Sequence, residues 1–264
     1  MPLVQIITLS IIQGITEFLP VSSSGHLVLT PFLLGWKDQG LRLDVAVHIG
    51  TLGAVIIYLR QDIFVILRGL FKLTRGQNDY GTRLAGYIVI ASAPVFSAGL
   101  VLTMLQPGGL RNPEVIGWAF IIFGVLLYLG DKWGGHIKTL RDMSWSYAFA
   151  IGFFQIFSLI PGASRSGSTI TMARLLGFGR QEAARFSMLL SIPTIFGAGV
   201  LLGFDLQDSK ETFFNLSNVL AALIAFITAL LSIHAMMAWL SNRSYAPFVF
   251  YRILIGFLIL YLAS

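Results

Sequence analysis

The sequence predicts an all-α polytopic membrane protein built as an inverted-topology repeat, with six transmembrane helices and two re-entrant helical hairpins whose tips meet near the midplane. Three observations predict it: a composition too apolar for water, six unbroken apolar stretches, and two further apolar stretches broken by matching clusters of Pro, Gly and Ser.

Of the 264 residues, 56% are hydrophobic and 11% are charged, whereas soluble domains carry about 25% charged residues. The mean hydropathy is +0.79. No polar, Pro/Ser-rich or low-complexity stretch divides the chain, so residues 1–264 are expected to form a single integral membrane domain. The net charge of +6 would suggest nucleic acid in a soluble protein. Here the basic residues fall in loops, so no nucleic-acid partner is expected and the bilayer is the surrounding medium. The absence of cysteine excludes disulfides, thiolate metal sites and cysteine nucleophiles. Met1–Ser10 carries no Lys or Arg, so the first segment is expected to remain in the mature protein.

In chain order, the first apolar stretch, 3–30, is interrupted by Pro20-Val21-Ser22-Ser23-Ser24-Gly25-His26. Spans follow at about 43–59, 84–105 and 115–130. The stretch 145–177 is interrupted by Pro161-Gly162-Ala163-Ser164-Arg165-Ser166-Gly167-Ser168, and further spans follow at about 186–204, 216–240 and 246–262. Pro and Gly break helices, and the freed backbone groups are tolerated at membrane depth only where they line an enclosed polar cavity. A shift of 142 positions lays Gln13 on Gln155, Ser22 on Ser164, Ser24 on Ser166 and Gly25 on Gly167, so the chain reads as two repeats of approximately 1–139 and 143–264.

Loop charges give the orientation. Loop 60–83 holds Arg60, Arg68, Lys72, Arg75 and Arg83, and loop 131–144 holds Lys132, Lys138 and Arg141. Arg180 and Arg185 follow the second break, and Arg243 lies between the last two spans. Loop 106–114 has only Arg111, and loop 205–215 has Lys210 against Asp205, Asp208 and Glu211. Placing the basic loops in the cytoplasm puts both termini outside. Each half then has one hairpin and three crossings, an odd number that inverts the halves and brings their tips together.

The tips hold the polar groups. Gln13 and Glu17 are i, i+4 and share a helix face, a donor set suited to a hard divalent cation, Mg²⁺ or Ca²⁺. Ser22, Ser23 and Ser24 stand beside His26, an imidazole able to take a serine proton. In the second tip, Arg165 offers a planar guanidinium to phosphate oxygens. Ser164, Ser166, Gly167 and Thr169 open a helix whose positive end favours an anion. The reading is therefore catalytic roles for Ser23, His26, Glu17 and Arg165, and anion binding by Ser22, Ser24, Ser164, Ser166, Gly167 and Thr169. Ser23 is the first choice of nucleophile, with His26 as its acid/base partner; attack by His26 or by an activated water stays open. His48 and His234 read as core histidines, His136 as a solvated loop residue, Arg174 as one more charge in the positive-inside tally and Arg252 as a snorkelling residue near a helix end. No P-loop, dinucleotide fingerprint or zinc motif occurs.

Gln13-Gly-Ile-Thr-Glu17-Phe-Leu-Pro-Val-Ser-Ser-Ser-Gly-His26, taken with Pro161-Gly-Ala-Ser-Arg-Ser-Gly-Ser-Thr169, resembles the undecaprenyl-diphosphatase family, whose members are also called bacitracin-resistance proteins. The resemblance covers essentially the whole chain. It implies hydrolysis of undecaprenyl diphosphate to undecaprenyl phosphate and phosphate, recycling the lipid carrier of bacterial cell-wall synthesis. It also implies a divalent metal and a site in the cytoplasmic (inner) membrane that opens to the periplasm. Glu17 and Gln13 match the acidic, metal-associated motif, although some members have Glu at the position of Gln13. Ser23 and His26 match the Ser and His of its first motif, and Arg165 the arginine of its second. The type 2 phosphatidic-acid phosphatases share a Ser-Gly-His and a Ser-Arg element, but their distal His with a following Asp and their basic first motif have no counterpart in the right place. Inverted repeats with broken helices also suit a transporter or flippase of a lipid phosphate or small anion, the alternative reading. The sequence leaves a homodimer open.

Overall fold

The computed structural model describes residues 1–105, 112–135, 137–205 and 215–263. Arg111, His136, Asp208, Lys210 and Glu211, all used in the charge reading or as candidates, lie outside them. Eleven α-helices occur among the described residues: α1 (Leu3–Thr16), α2 (Ser23–Leu34), α3 (Gly40–Tyr58), α4 (Arg60–Leu73), α5 (Tyr80–Leu105), α6 (Pro113–Trp133), α7 (Trp145–Gln155), α8 (Arg165–Leu175), α9 (Arg180–Asp205), α10 (Leu216–Leu240) and α11 (Ala246–Ala263). There is no β-strand among them. Six helices, α3, α5, α6, α9, α10 and α11, are long and apolar enough to cross a membrane. At 1.5 Å per residue, the 26 residues of α5 span roughly 39 Å, more than the ~30 Å hydrocarbon core, an excess that tilting, a bend at Pro94 or local thickening accommodates. The chain is thus an all-α, multi-pass membrane protein.

Loop 60–83 departs from the sequence reading. Its charges suggested an irregular connection, yet most of it is α4. Arg60, Arg68 and Lys72 are interspersed along this helix with exposed Phe64, Leu67 and Phe71, and the Arg68 guanidinium lies 4.7 Å from the Phe64 ring centre, a mixed charged and apolar surface suited to the membrane interface. Gly69 and Gly81 let α4 cross α5 in backbone contact: a Cβ on Gly69 would stand 2.3 Å from Thr82 N, and one on Gly81 2.2 Å from Val65 O.

The spans pack as crossed partners. α10 lies against α1 and α3, α5 against α7 and α9, and α6 against α11. The helical pair α1–α2 and the pair α7–α8 are each joined by a short break. Ser22 (φ 72°) and Ser164 (φ 73°) are the non-glycine residues of positive φ among the described residues, one in each break. An L-residue in that region is strained and persists only where its surroundings hold it there. In both breaks the serine then caps the next helix: Ser22 Oγ accepts from Gly25 N at 3.4 Å, and Ser164 Oγ from Gly167 N at 3.1 Å.

Among the described residues two arginines are fully buried. Arg174 is fully buried, donating to Asp131 Oδ1 at 3.1 Å and to the carbonyls of Asp131, Gly134, Gly135 and Phe178. Arg180 closes on the same carboxylate at 2.7 Å. A carboxylate and main-chain oxygens within reach are what permit the burial of Arg174. Arg252 does not snorkel; it too is fully buried, deep between α6 and the two breaks.

Candidate active site

Glu17 joins the two breaks. It caps the C-terminus of α1, and Pro20 prevents the helix from running on. Glu17 Oε2 accepts from Ser23 Oγ at 2.5 Å and from Gln13 Nε2 at 3.0 Å, while Oε1 accepts from Arg165 Nη2 at 3.1 Å. Glu17 and Gln13 are buried, and Glu17 and Arg165 stand 148 positions apart in the chain. A paired, hydrogen-bonded carboxylate and guanidinium are what permits either charge at this depth. Arg165 Nη1 donates to Ser187 O on α9 at 2.9 Å. The bonds described engage at most three of the five guanidinium N–H groups, leaving donors for an incoming anion.

Glu17, Ser23 and Arg165 line a cavity of about 240 Å³ together with Ser22, Ser24, Ser164 and His48, whereas Gln13 is not among the lining residues. Ser23 and Arg165 are the first residues of α2 and α8, so two helix N-termini, with their partial positive charge, adjoin this space. A polar cavity holding a hydroxyl on a carboxylate, a guanidinium and two helix N-termini can bind a phosphate group and attack it.

The sequence candidates divide into two sets. Ser23, Glu17, Arg165, Ser22, Ser24 and Ser164 line the cavity. Ser166, Gly167 and Thr169 do not. Ser166 Oγ ties the two breaks together by donating to Leu19 O at 2.8 Å, and Thr169 Oγ1 donates to Ser187 Oγ at 2.7 Å inside the protein. Gly167 is a close approach, since a Cβ there would stand 3.0 Å from Arg252 Nη1.

His26 is not the partner of Ser23 in this geometry. Although residues three apart lie on neighbouring parts of a helix surface, its ring faces Tyr251 on α11 instead and does not line the cavity. Its Nδ1 lies 2.7 Å from Ser22 O and its Nε2 2.6 Å from Tyr251 Oη, with the His26 and Tyr251 rings stacked 7° from parallel. The imidazole that faces the cavity is His48, read from the sequence as a core residue. Its Nδ1 lies 2.7 Å from Asp44 O, its Nε2 lies 3.9 Å from Glu17 Oε2, and its side chain is 34% exposed. Nothing in a lone histidine within an apolar span signals this, because the signal lies in what α3 packs against.

The donors near Glu17 fit a sparsely liganded divalent cation. Gln13 Oε1 is buried without a hydrogen-bond partner and lies on the side chain that already reaches Glu17. One carboxylate and one amide oxygen is a set that Mg²⁺ or Ca²⁺ completes with water and substrate phosphate. Among the described residues no group of three His, Asp or Glu forms a cage of its own.

The chain matches the family model described as bacitracin resistance protein BacA over residues 6–258. It is 45% identical over 265 residues to an undecaprenyl-diphosphatase of Ruegeria pomeroyi, covering 100% of this chain and 99% of the relative. It is 45% identical over 262 residues to an undecaprenyl-diphosphatase of Roseobacter denitrificans, with 98% of each chain covered. It is 44% identical over 271 residues to undecaprenyl-diphosphatase 1 of Rhodospirillum rubrum, covering 100% of this chain and 96% of the relative.

Proposed function

The chain belongs to the bacitracin resistance protein BacA family, and on that footing we propose that it hydrolyses undecaprenyl diphosphate to undecaprenyl phosphate and inorganic phosphate. The observation that carries this reading is the Glu17 carboxylate, which gathers Ser23 from one break and Arg165 from the other.

The diphosphate enters the cavity with its terminal phosphate against Arg165 and the N-termini of α2 and α8. Ser23 Oγ attacks the terminal phosphorus; the Oγ–P bond forms and the bridging P–O bond breaks, leaving undecaprenyl phosphate. The serine proton passes to Glu17, 2.5 Å away. Water then attacks the phosphoserine: the water O–P bond forms, the Oγ–P bond breaks, Glu17 returns its proton to Oγ, and phosphate leaves with the water's proton. His48 Nε2 faces Glu17 across 3.9 Å, which makes it the acid/base imidazole of the cavity in place of His26. A bound divalent cation, held by Glu17 with Gln13, supplies positive charge against the phosphate oxygens. Positioning and charge stabilisation are most of what phosphoryl transfer requires.

An apolar groove of about 750 Å³ between α5 and α7 suits the prenyl tail. It shares the 3-10 turn Ile156–Leu159 with the cavity: Ser158 faces the polar side, while Phe157 and Leu159 line the groove.

Two helix breaks entering the bilayer from opposite sides, in inverted repeats, account for the paired strained serines. With the basic Arg180 end of α9 in the cytoplasm, the cavity-lining Ala198 lies ~27 Å further along that helix, near the opposite face. That supports a periplasmic opening in the bacterial inner membrane. The test is phosphate release from a polyprenyl diphosphate in detergent, where transport has no meaning. Release by the wild-type protein and its loss in Arg165→Ala are expected; no release from a monodisperse wild-type protein would refute the reading in favour of transport.

A further inference from the structure

Arg252 sits on α11, within an apolar span, and is fully buried. A guanidinium at such depth ordinarily meets a carboxylate, as Arg165 meets Glu17 and Arg174 meets Asp131. Among the described residues Arg252 pairs with none. Its donors go to five main-chain carbonyls: Nε to Phe120 O at 3.2 Å, Nη1 to Pro20 O at 3.2 Å, and Nη2 to Ala119 O, Gly162 O and Ala163 O at 3.3, 2.8 and 3.0 Å. The Phe120 ring lies 5.5 Å from the guanidinium carbon.

Which carbonyls these are matters more than their number. Pro20 lies two residues before strained Ser22, and Gly162 lies two residues before strained Ser164. They are the same position in the two breaks, 142 residues apart. One rigid, planar fork therefore holds equivalent points of both tips, with α6 as the fixed third point. Each strained serine is followed by the residue that acts: Ser23 in the first tip, Arg165 in the second. A carboxylate beside Arg252 would take the N–H groups that make these links.

We propose that Arg252 is a positioning residue for phosphoryl transfer: by bonding both hairpin tips it sets the separation of Ser23 from Arg165. The inference rests on the proposed phosphatase reading, and it acts through geometry rather than through charge alone. Lysine keeps the charge but lacks the planar fork that reaches Pro20 O and Gly162 O together.

The test uses detergent-purified, monodisperse Arg252→Lys and Arg252→Ala proteins. With a polyprenyl diphosphate, kcat is expected to fall ~100-fold in both while KM stays near wild type, the signature of misplaced reacting groups. The chain has no cysteine, so a Leu19→Cys/Ser166→Cys pair bridged by a short bis-thiosulfonate reports the tip separation, since Ser166 Oγ lies 2.8 Å from the Leu19 main-chain oxygen and the Leu19 side chain lines the neighbouring groove. Cross-linking of that pair by the short reagent is expected when Arg252 is intact and lost in Arg252→Lys. The cross-link needs no turnover, so it judges the bracing even if the wild-type protein releases no phosphate. If Arg252→Ala does not fold, Arg252→Lys decides. Three results would overturn the proposal: wild-type kcat in Arg252→Lys, a rise in KM with kcat unchanged, or cross-linking as efficient in Arg252→Lys as with the arginine in place.

Discussion

The two helix breaks share a backbone and differ in chemistry. Each holds a serine at positive φ, each serine caps the following helix, and each helix starts at the next residue. At that next position one break carries Ser23 and the other Arg165. Six residues before it the first break has Glu17, where the second has Leu159. On the proposed mechanism, the matched breaks carry a nucleophile and its base on one side and an anion-binding cation on the other. A symmetric site would set two hydroxyls or two guanidiniums against each other. Phosphoryl transfer needs one of each, so on the proposed mechanism divergence at these two matched positions is what makes the paired breaks complementary.

The comparison is broken most severely at that position. Ser23→Ala is expected to lower phosphate release in detergent by ~10⁴-fold or more, since a nucleophile that acts with its base as a unit is not replaced. Arg165→Ala should cost about 10³-fold, in the range of transition-state arginines, and Arg165→Lys should recover little because the fork is lost. Turnover near wild type in either variant would remove that residue from the mechanism.

The histidines sharpen the contrast between what faces the cavity and what supports it. His48→Ala is expected to reduce kcat by about 100-fold and to remove one limb of the pH–rate profile, as loss of an acid/base group does. His26→Phe should be milder, because the ring can still pack on Tyr251. A loss in His26→Phe matching that of Ser23→Ala would restore His26 as the serine's proton partner. Excess chelator is expected to silence the wild-type enzyme and to lower its thermal midpoint, and full activity in chelator would exclude the cation at Glu17 and Gln13.

The smallest effect lies far from the site, at a feature of the first half alone. Asp79, ahead of α5, accepts from Lys72 Nζ at 2.9 Å and from Thr82 N at 3.1 Å. The Lys72 hydrogen bond, followed by that of Thr82, holds its carboxyl below the usual carboxylate range. A depressed folded-state pKa stabilises at pH above the ordinary value, and that stability is lost as pH falls through the depressed value. Asp79→Asn should therefore lower the thermal midpoint slightly at neutral pH and flatten its acid dependence, and it should leave phosphate release unchanged.

Much of the fold was legible because bilayer physics leaves few choices. Long apolar runs must be helices, and Pro-Gly-Ser clusters inside them must break those helices. The offset of 142 residues that aligns Ser22 with Ser164 predicted paired breaks, and both serines have the same unusual backbone. The α4 helix was missed because its basic residues read as a loop, whereas an interfacial helix tolerates charge on one face. Arg174 and Arg252 were read from charge and position along the chain. Their burial depends on Asp131 and on carbonyls contributed by other segments, which no local pattern encodes.

The sequence by itself determined the solvent, the helices, the two breaks and the residue types that gather there, because hydropathy and helix-breaking residues act locally. Tertiary structure alone decided which imidazole faces Glu17, which of the seryl and glycyl residues line the cavity and which brace it, and that a lone guanidinium on the last helix joins both tips. Those outcomes depend on the rotation of each helix about its axis and on partners contributed by other helices, and packing sets both.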